Sequence, residues 1–213
     1  MVAALWESLP FDYLVKVSGT GKVNTEMVDR FPTPLDHRTD VFLLHRTLRL
    51  NCMTSDFAPL WGELYDSAFA ADPWTSPFVD WPNLRSDGRA WKLETPLRGE
   101  FERRAALVEL DALAAIVLGL TADQLILMYT GQFGVLRKYE YTMWFDNRGD
   151  KIANEFHARG VRQHDDDYKL LMAYNDGELC GDLLERYEPP FIKVDREAEM
   201  RAAHAEFTER LGL

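Results

Sequence analysis

Residues 98–133, RGEFERRAALVELDALAAIVLGLTADQLILMYTGQF, decide the fold. Their first half spaces Phe101, Ala105, Val108, Ala112 and Ala115 at helical intervals, with Leu107, Leu110, Ala114 and Val117 in a second stripe beside them. Arg103, Arg104, Glu109 and Asp111 lie early in the stretch, and no charge occurs from Ala112 to Leu120. The expectation is a helix half exposed at its start and buried on all sides at its end. Gly119 is positioned to end it in a left-handed conformation. Thr121 can cap a second helix, Gln124 stands where a capping box needs Glu or Gln, and Leu120 can staple onto Leu125. Two helices joined by so short a corner form a rigid nucleus on which the rest of the chain must pack.

Upstream of this nucleus, FDYLVKV (11–17) is rich in β-formers and is followed by SGTG and KVNTEMV, which predicts a hairpin with Lys16 and Lys22 flanking the glycines. GTGK does not complete a phosphate loop. The first glycine of GxxxxGK[ST] would fall on Lys16, and Val23 follows Lys22. FPTP (31–34) is rigid and extended, and Asp36 or Thr39 can start a helix through DVFLLHRTLRL. Ser55 or Asp56 caps another, with Phe57, Leu60, Trp61, Leu64, Tyr65 and Ala68 on one face as core residues. Residues 72–97 hold Pro73, Pro77, Pro82 and Pro96 with Trp74, Trp81 and Trp91, a long irregular connection pinned to the surface by its tryptophans.

Downstream, Tyr139, Tyr141, Met143 and Phe145 alternate and DNRGD makes a turn, which predicts a second hairpin near 139–153. Helix returns from Asp166 to Tyr174 and breaks at Asn175–Gly177. Asp195 then caps a last helix with Met200, Ala203, Phe207 and Leu211 on one face, and Glu197–Arg201 and Glu206–Arg210 as i, i+4 pairs on the other. The fold class expected is α+β, mainly helical with two small β-hairpins. We read one region with four parts: a hairpin arm at 1–36, a helical core at 37–133, a basic hairpin and loop at 134–164, and an acidic helical tail at 165–213.

Composition bounds the function. With 213 residues, 46% hydrophobic and 28% charged, the chain can bury a sizeable core. Its apolar runs are too short to span a bilayer and no basic-then-apolar leader follows Met1, so a cytoplasmic protein without membrane partners is expected. Cys52 and Cys180 lack CxxC spacing, which argues against zinc ribbons and disulfide scaffolds. Net charge is −11, and residues 165–213 carry thirteen acids against six bases. Only 132–164 is positive, with six bases against four acids, so a phosphate-facing surface belongs there.

Motifs for catalysis are sparse. His37, His45, His157, His164 and His204 form neither HxH nor HExxH, and GxSxG is absent. Asp150 with Asp167-Tyr168-Lys169 loosely matches the D…(D/E)xK arrangement of metal-dependent nucleases, although here the second part opens a helix rather than lying on a strand. The triplet Asp165–Asp167 suits a helix start, where carboxylates meet the dipole. EPPF (188–191) is similar to the (N/D)PP(Y/F) loop of amino-methyltransferases, but Glu188 replaces the expected residue and we read a rigid linker.

KVNTEMVDRFPTP (22–34), LRLNCMTSDFAPLW (48–61), ERRAALVELDALAAIVLGLTADQLILMYTGQFGVLRKYE (102–140) and YEPPFIKVDREAEMRAAHAEF (187–207) together carry a resemblance. The chain resembles the C-terminal, target-recognition region of adenine-specific DNA methyltransferases from fused restriction–modification (type IIG-like) and phage-defence systems. LDAL…GLTADQL followed by QF-x-VLR is the most specific part, and Gly134 stands where the family has proline. The family's glycine-rich S-adenosylmethionine loop and (N/D)PPY loop do not occur here. The resemblance therefore implies DNA target recognition without catalytic residues or metal, on double-stranded DNA, with S-adenosylmethionine bound by a separate methyltransferase catalytic domain or subunit. Such a region needs a basic, aromatic, hydrogen-bonding edge on a rigid support, and 132–164 supplies Arg137, Lys138, Tyr139, Tyr141, Asn147, Arg148, Lys151, Arg159, Arg162 and Gln163, with Lys16, Lys22 and Asn24 on the N-terminal arm. An acidic protein-interaction or DNA-mimic module is the alternative, favoured if the negative charge forms one continuous face.

Lacking a cofactor loop, the purified chain is expected neither to bind S-adenosylmethionine nor to methylate DNA. Isothermal calorimetry with the cofactor checks this, and saturable binding would overturn it.

Overall fold

The computed structural model describes residues 2–19, 23–29, 31–32, 37–75, 84–157, 159–160 and 162–213. Helices α1 (Val2–Trp6), α2 (Leu9–Val17), α3 (Thr25–Asp29), α4 (His37–Asn51) and α5 (Ala58–Leu64) come first. An irregular passage leads to α6 (Glu100–Val117), α7 (Ala122–Gln132) and α8 (Gly134–Tyr141). Strand β1 (Trp144–Phe145), helices α9 (Asp167–Asn175) and α10 (Gly181–Leu184), strand β2 (Ile192–Lys193) and helix α11 (Arg196–Leu211) complete the order. The fold is α+β and mainly helical, with one small antiparallel sheet in which Trp144 faces Lys193 and Phe145 faces Ile192. Among the described residues no helix is long and apolar enough to cross a membrane.

Helix α6 is the axis, packed against α1, α2, α4, α7 and α11. It starts with Glu102 reaching back to the Gly99 amide (2.7 Å) and ends in a Schellman motif. There Gly119 has φ +71°, its amide donates to Ile116 O, and the Leu120 amide donates to Ala115 O. Thr121 and Gln124 then close the expected capping box on α7, and Leu120 packs beside buried Leu125. The burial differs from the periodicity in one respect. Helix α6 is fully enclosed in its middle, from Val108 to Ala115, and its final turn is half-buried. Glu109 and Asp111, charges expected to face water, lie inside.

The N-terminal hairpin arm does not form. FDYLVKV lies in α2 and TEMVD in α3, while Gly19 (φ +68°) terminates α2 instead of turning a hairpin. Tertiary packing overrides β-propensity here. Pro10 sits in the first helical turn, where its missing N–H costs nothing, and Leu9, Pro10 and Phe11 are buried. The buried carboxylate of Asp111 accepts the Leu9 amide at 2.7 Å, so a side chain of α6 caps α2. Thr20, Gly21, Lys22, Thr33–Asp36, Pro77, Trp81 and Pro82 lie outside the described residues.

The second hairpin forms only at its turn. The Asp146 amide donates to Asp150 O and the Ile152 amide to Trp144 O, with a bridge between Phe145 and Lys151. Tyr139 and Tyr141 belong to α8, because Phe133, Leu136 and Glu140 turn inward at helical spacing, and β1 takes β2 as its partner. Helix α5 is also shorter than its stripe. It ends at Leu64, and Asp66 caps a separate 3₁₀ turn, Ser67–Ala71, by accepting the Ala68 amide. Trp61 is core, with Tyr65 packed on its cluster, while Phe57, Leu60 and Leu64 remain exposed. The passage after residue 84 is pinned as expected. Trp91 Nε1 donates to Cys52 O (2.8 Å), and the Arg49 guanidinium donates to the carbonyls of Leu84 and Thr95.

A buried ionic cluster ties the elements together. Arg196 at the start of α11 donates from Nε to Glu140 of α8 (2.8 Å) and from Nη1 to Asp111 of α6 (2.6 Å). Arg104 of α6 bonds Glu140 (3.0 Å) and Glu199, and the Tyr129 hydroxyl donates to Glu140 (2.9 Å). Burial raises the Glu140 carboxyl, yet Arg196 and Arg104 outweigh it and hold the group below its ordinary value. Removing one member leaves charges buried without partners. Glu140→Ala is expected to cost about 3–5 kcal/mol in urea unfolding. Glu197→Ala, on an exposed pair, should stay within about 0.5 kcal/mol.

Candidate nucleic-acid interface

Phe133 ends α7 and begins α8 at once. From it, Phe133, Leu136 and Glu140 turn inward at helical spacing, the first two into the cluster shared by α2, α6, α7 and α11. Val135, Arg137, Lys138 and Tyr141 are thereby left facing out. Three lysines from separate parts of the chain lie over aromatic rings around this helix. Lys16, in the last turn of α2, stands 3.6 Å from the Phe133 ring centre and bonds Asp12 at 3.1 Å. Lys138 is 4.4 Å from Phe156, and Lys193 on β2 is 4.9 Å from Tyr141. Tyr139 meets Phe156 edge-on and stacks with His157, whose Nε2 donates to the Tyr139 carbonyl at 3.1 Å. Arg137 donates to Thr130 O (3.3 Å) and stands 4.0 Å from Glu197.

The other expected residues have different work. Arg148 is held by Asp146 (3.1 Å), Asp150 (3.4 Å) and the Arg186 carbonyl (2.8 Å). Lys151, only 15% exposed, pairs with Glu100 at 2.7 Å, and Arg159 pairs with Asp165 at 2.9 Å. Gln163 braces its loop by accepting the Gly160 amide and donating to Lys151 O. The Asn147 amide donates to Glu188 O, and Asn24 caps α3 by accepting the Met27 amide (2.9 Å). Arg162 is exposed, on the rim of a cleft of about 360 Å³ with Glu100, Asp150, Lys151 and Arg186. Lys22 lies outside the described residues. The structure thus brings Lys16, Arg137, Lys138, Tyr139 and Tyr141 to α8, adds Lys193, Phe133 and Phe156, and assigns Arg148, Lys151, Arg159 and Gln163 to holding the hairpin and loop.

Two buried constellations resemble catalytic ones. Asp167 has both carboxylate oxygens engaged, one by Arg186 Nε (2.9 Å) and the other by the Tyr187 hydroxyl (2.7 Å) and the His164 amide (2.8 Å). These three bonds commit the fully buried carboxylate to the fold, which argues against the D…(D/E)xK match. The second has serine, histidine and aspartate in relay order. His45 Nδ1 donates to Asp72 (2.8 Å) and Nε2 lies 3.0 Å from Ser86 Oγ. A nucleophile-activating histidine must accept a proton and rely on its carboxylate. Here Arg46 already bonds the same Asp72 oxygen at 2.8 Å, and burial pushes His45 down to about 4. The trio acts as a clamp that fastens residue 86 to α4 and Asp72.

Compared with models of known protein families, with curated proteins and with solved structures, the chain matches none.

The His45 clamp makes folding pH-dependent with a definite sign. A histidine whose folded pKa is lowered gives stability that is present above about 6.5 and lost as pH falls through about 4. His45 alone contributes a loss of roughly 3 kcal/mol across that window, while Asp111, lifted by burial to about 7, contributes in the opposite direction. The difference in urea stability between wild type and His45→Asn at stepped pH isolates the histidine, and it should shift by that amount between those values.

Proposed function

We propose that this chain is the DNA target-recognition portion of an adenine-specific DNA methyltransferase, acting with a separate catalytic domain that binds S-adenosylmethionine and transfers the methyl group. The observation that carries this reading is the ring of lysine–aromatic pairs around α8: Lys16 with Phe133, Lys138 with Phe156 and Lys193 with Tyr141. Cations on aromatic rings are the chemistry that tracks a nucleic-acid strand, phosphate by charge at each pair and base or sugar by the ring face at Tyr141 and Phe156, Phe133 being buried. Helix α8 follows directly on the segment that most resembles the family, and the buried Arg104–Glu140–Arg196 cluster holds it rigidly.

The acidic balance fits a divided protein. At a net charge of −11 the chain alone should bind duplex weakly and lose it steeply with salt, so the catalytic domain supplies much of the phosphate contact. Most of the net negative charge stays on the surface, because the acids that go inside take arginines with them. Asp72, Glu109, Asp111, Glu140, Asp146 and Asp167 are buried, and arginines answer them.

Joined to the catalytic domain, the double variant Lys138→Glu, Lys193→Glu should lower methylation of cognate and mismatched duplexes alike, because lysine meets phosphate as a point charge. Arg137→Ala should cost roughly 1–3 kcal/mol and relax sequence preference if its fork meets a base edge. Arg148→Ala should leave preference unchanged. Unaltered rate and specificity in the double variant would move the reading edge away from α8.

A further inference from the structure

Tyr141 is 75% exposed at the end of α8, more than any other tyrosine exposed among the described residues. It borders a cleft of about 450 Å³ whose lining includes Arg137, Glu140, Lys193 and Arg196. Sheet register sets one wall. Phe145 and Ile192 pair and pack with Phe101 and Val194, and the neighbouring Lys193 stands over the Tyr141 ring. The floor is rigid because Glu140 accepts from both Tyr129 and Arg196. The volume lies within the range of small-ligand sites.

We propose that this cleft seats one unpaired nucleotide of bound DNA, with its base stacked on Tyr141, its phosphate held by Lys193 and its base edge met by the Arg137 fork. The proposal rests on the DNA-recognition reading above and names which part of the DNA this edge takes. A paired, stacked base offers a protein only its groove edges, whereas an unpaired base offers a face, and an exposed aromatic ring between cations is complementary to a face. The acids on the cleft do not cancel this. Glu140 is neutralised by Arg104 and Arg196, and Asp195 caps α11 by accepting the Ala198 amide at 3.1 Å. Glu197, 4.0 Å from Arg137, is the group that a base edge would displace.

Fluorescence anisotropy at low salt with the full chain tests this, using three labelled probes of one sequence: a continuous duplex, the same duplex with a single-nucleotide bulge, and the single strand. The bulged duplex and single strand should bind roughly tenfold or more tighter than the continuous duplex. Tyr141→Ala should abolish that preference and Tyr141→Phe retain it. Lys193→Glu should weaken all probes alike, and Glu197→Gln should tighten them by freeing Arg137. Thermal melts check that the variants fold, as expected for an exposed side chain. Equal binding of the three probes, or a preference that survives Tyr141→Ala, overturns the proposal. If the continuous duplex binds and Lys138→Glu weakens it while no preference for unpaired DNA exists, the recognition reading stands and this cleft proposal falls. If no probe binds even with the catalytic domain joined, both fall.

Discussion

The guanidinium of Arg196 is the constraint on which the rest of the molecule depends. One buried fork, enclosed by α6, α7 and α8, joins Asp111 and Glu140, and through them four helices and the start of a fifth. Its planar donors meet two carboxylates in fixed directions, which a lysine ammonium cannot reproduce. Asp111 spends its second oxygen on the Leu9 amide, so α11 is coupled through α6 to the N-terminus of α2. Burial lifts the Asp111 carboxyl to about 7 against the pull of Arg196. The cluster is a costly interior held together by its geometry, and it gains unique registration more than raw stability.

That registration explains which parts of the fold were legible in sequence. The corner between α6 and α7 depends on neighbours a few residues apart, Leu118–Gly119–Leu120 and Thr121–Gln124, and each signal reads correctly. Asp195 as the cap of α11 is local in the same way. The ionic partners are not local. Arg196 meets Asp111 across 85 positions, and Arg46 meets Glu109 across 63. Periodicity sends an acid on an amphipathic helix to water, because nothing nearby in sequence says that an arginine waits inside. Tyr139 and Tyr141 alternate as a strand would. Glu140, drawn inward by Arg104 and Arg196, makes the helix the better solution.

The same distinction divides the candidate interface. Basic composition drew attention to Arg137 and Lys138, and an aromatic count drew it to Tyr139 and Tyr141. It did not separate cations that face solvent from cations that hold the chain. Arg148 and Lys151 sit beside Asp146, Asp150 and Glu100 because the Asp146–Gly149 turn and the start of α6 bring those acids to them. Lys193 was missed because it lies in an acidic stretch, and only the pairing of β2 with β1 carries it to Tyr141.

A division of labour between the two basic residue types follows. In this interior, arginine answers the buried carboxylates: Arg46 with Asp72 and Glu109, Arg104 and Arg196 with Glu140, Arg186 with Asp167. Three lysines are left on the α8 edge, resting on aromatic rings. Lysine is a point charge suited to phosphate, and bidentate reading of a guanine edge calls for an arginine fork. On the DNA-recognition reading, this edge therefore orients the strand, and base discrimination falls to Arg137 and to whatever the catalytic domain contributes. Arg137 is suited to that role by how loosely it is held. Its contacts are one carbonyl at 3.3 Å and one carboxylate at 4.0 Å, so a base edge would have little to displace, whereas Arg148 would have to surrender a buried aspartate.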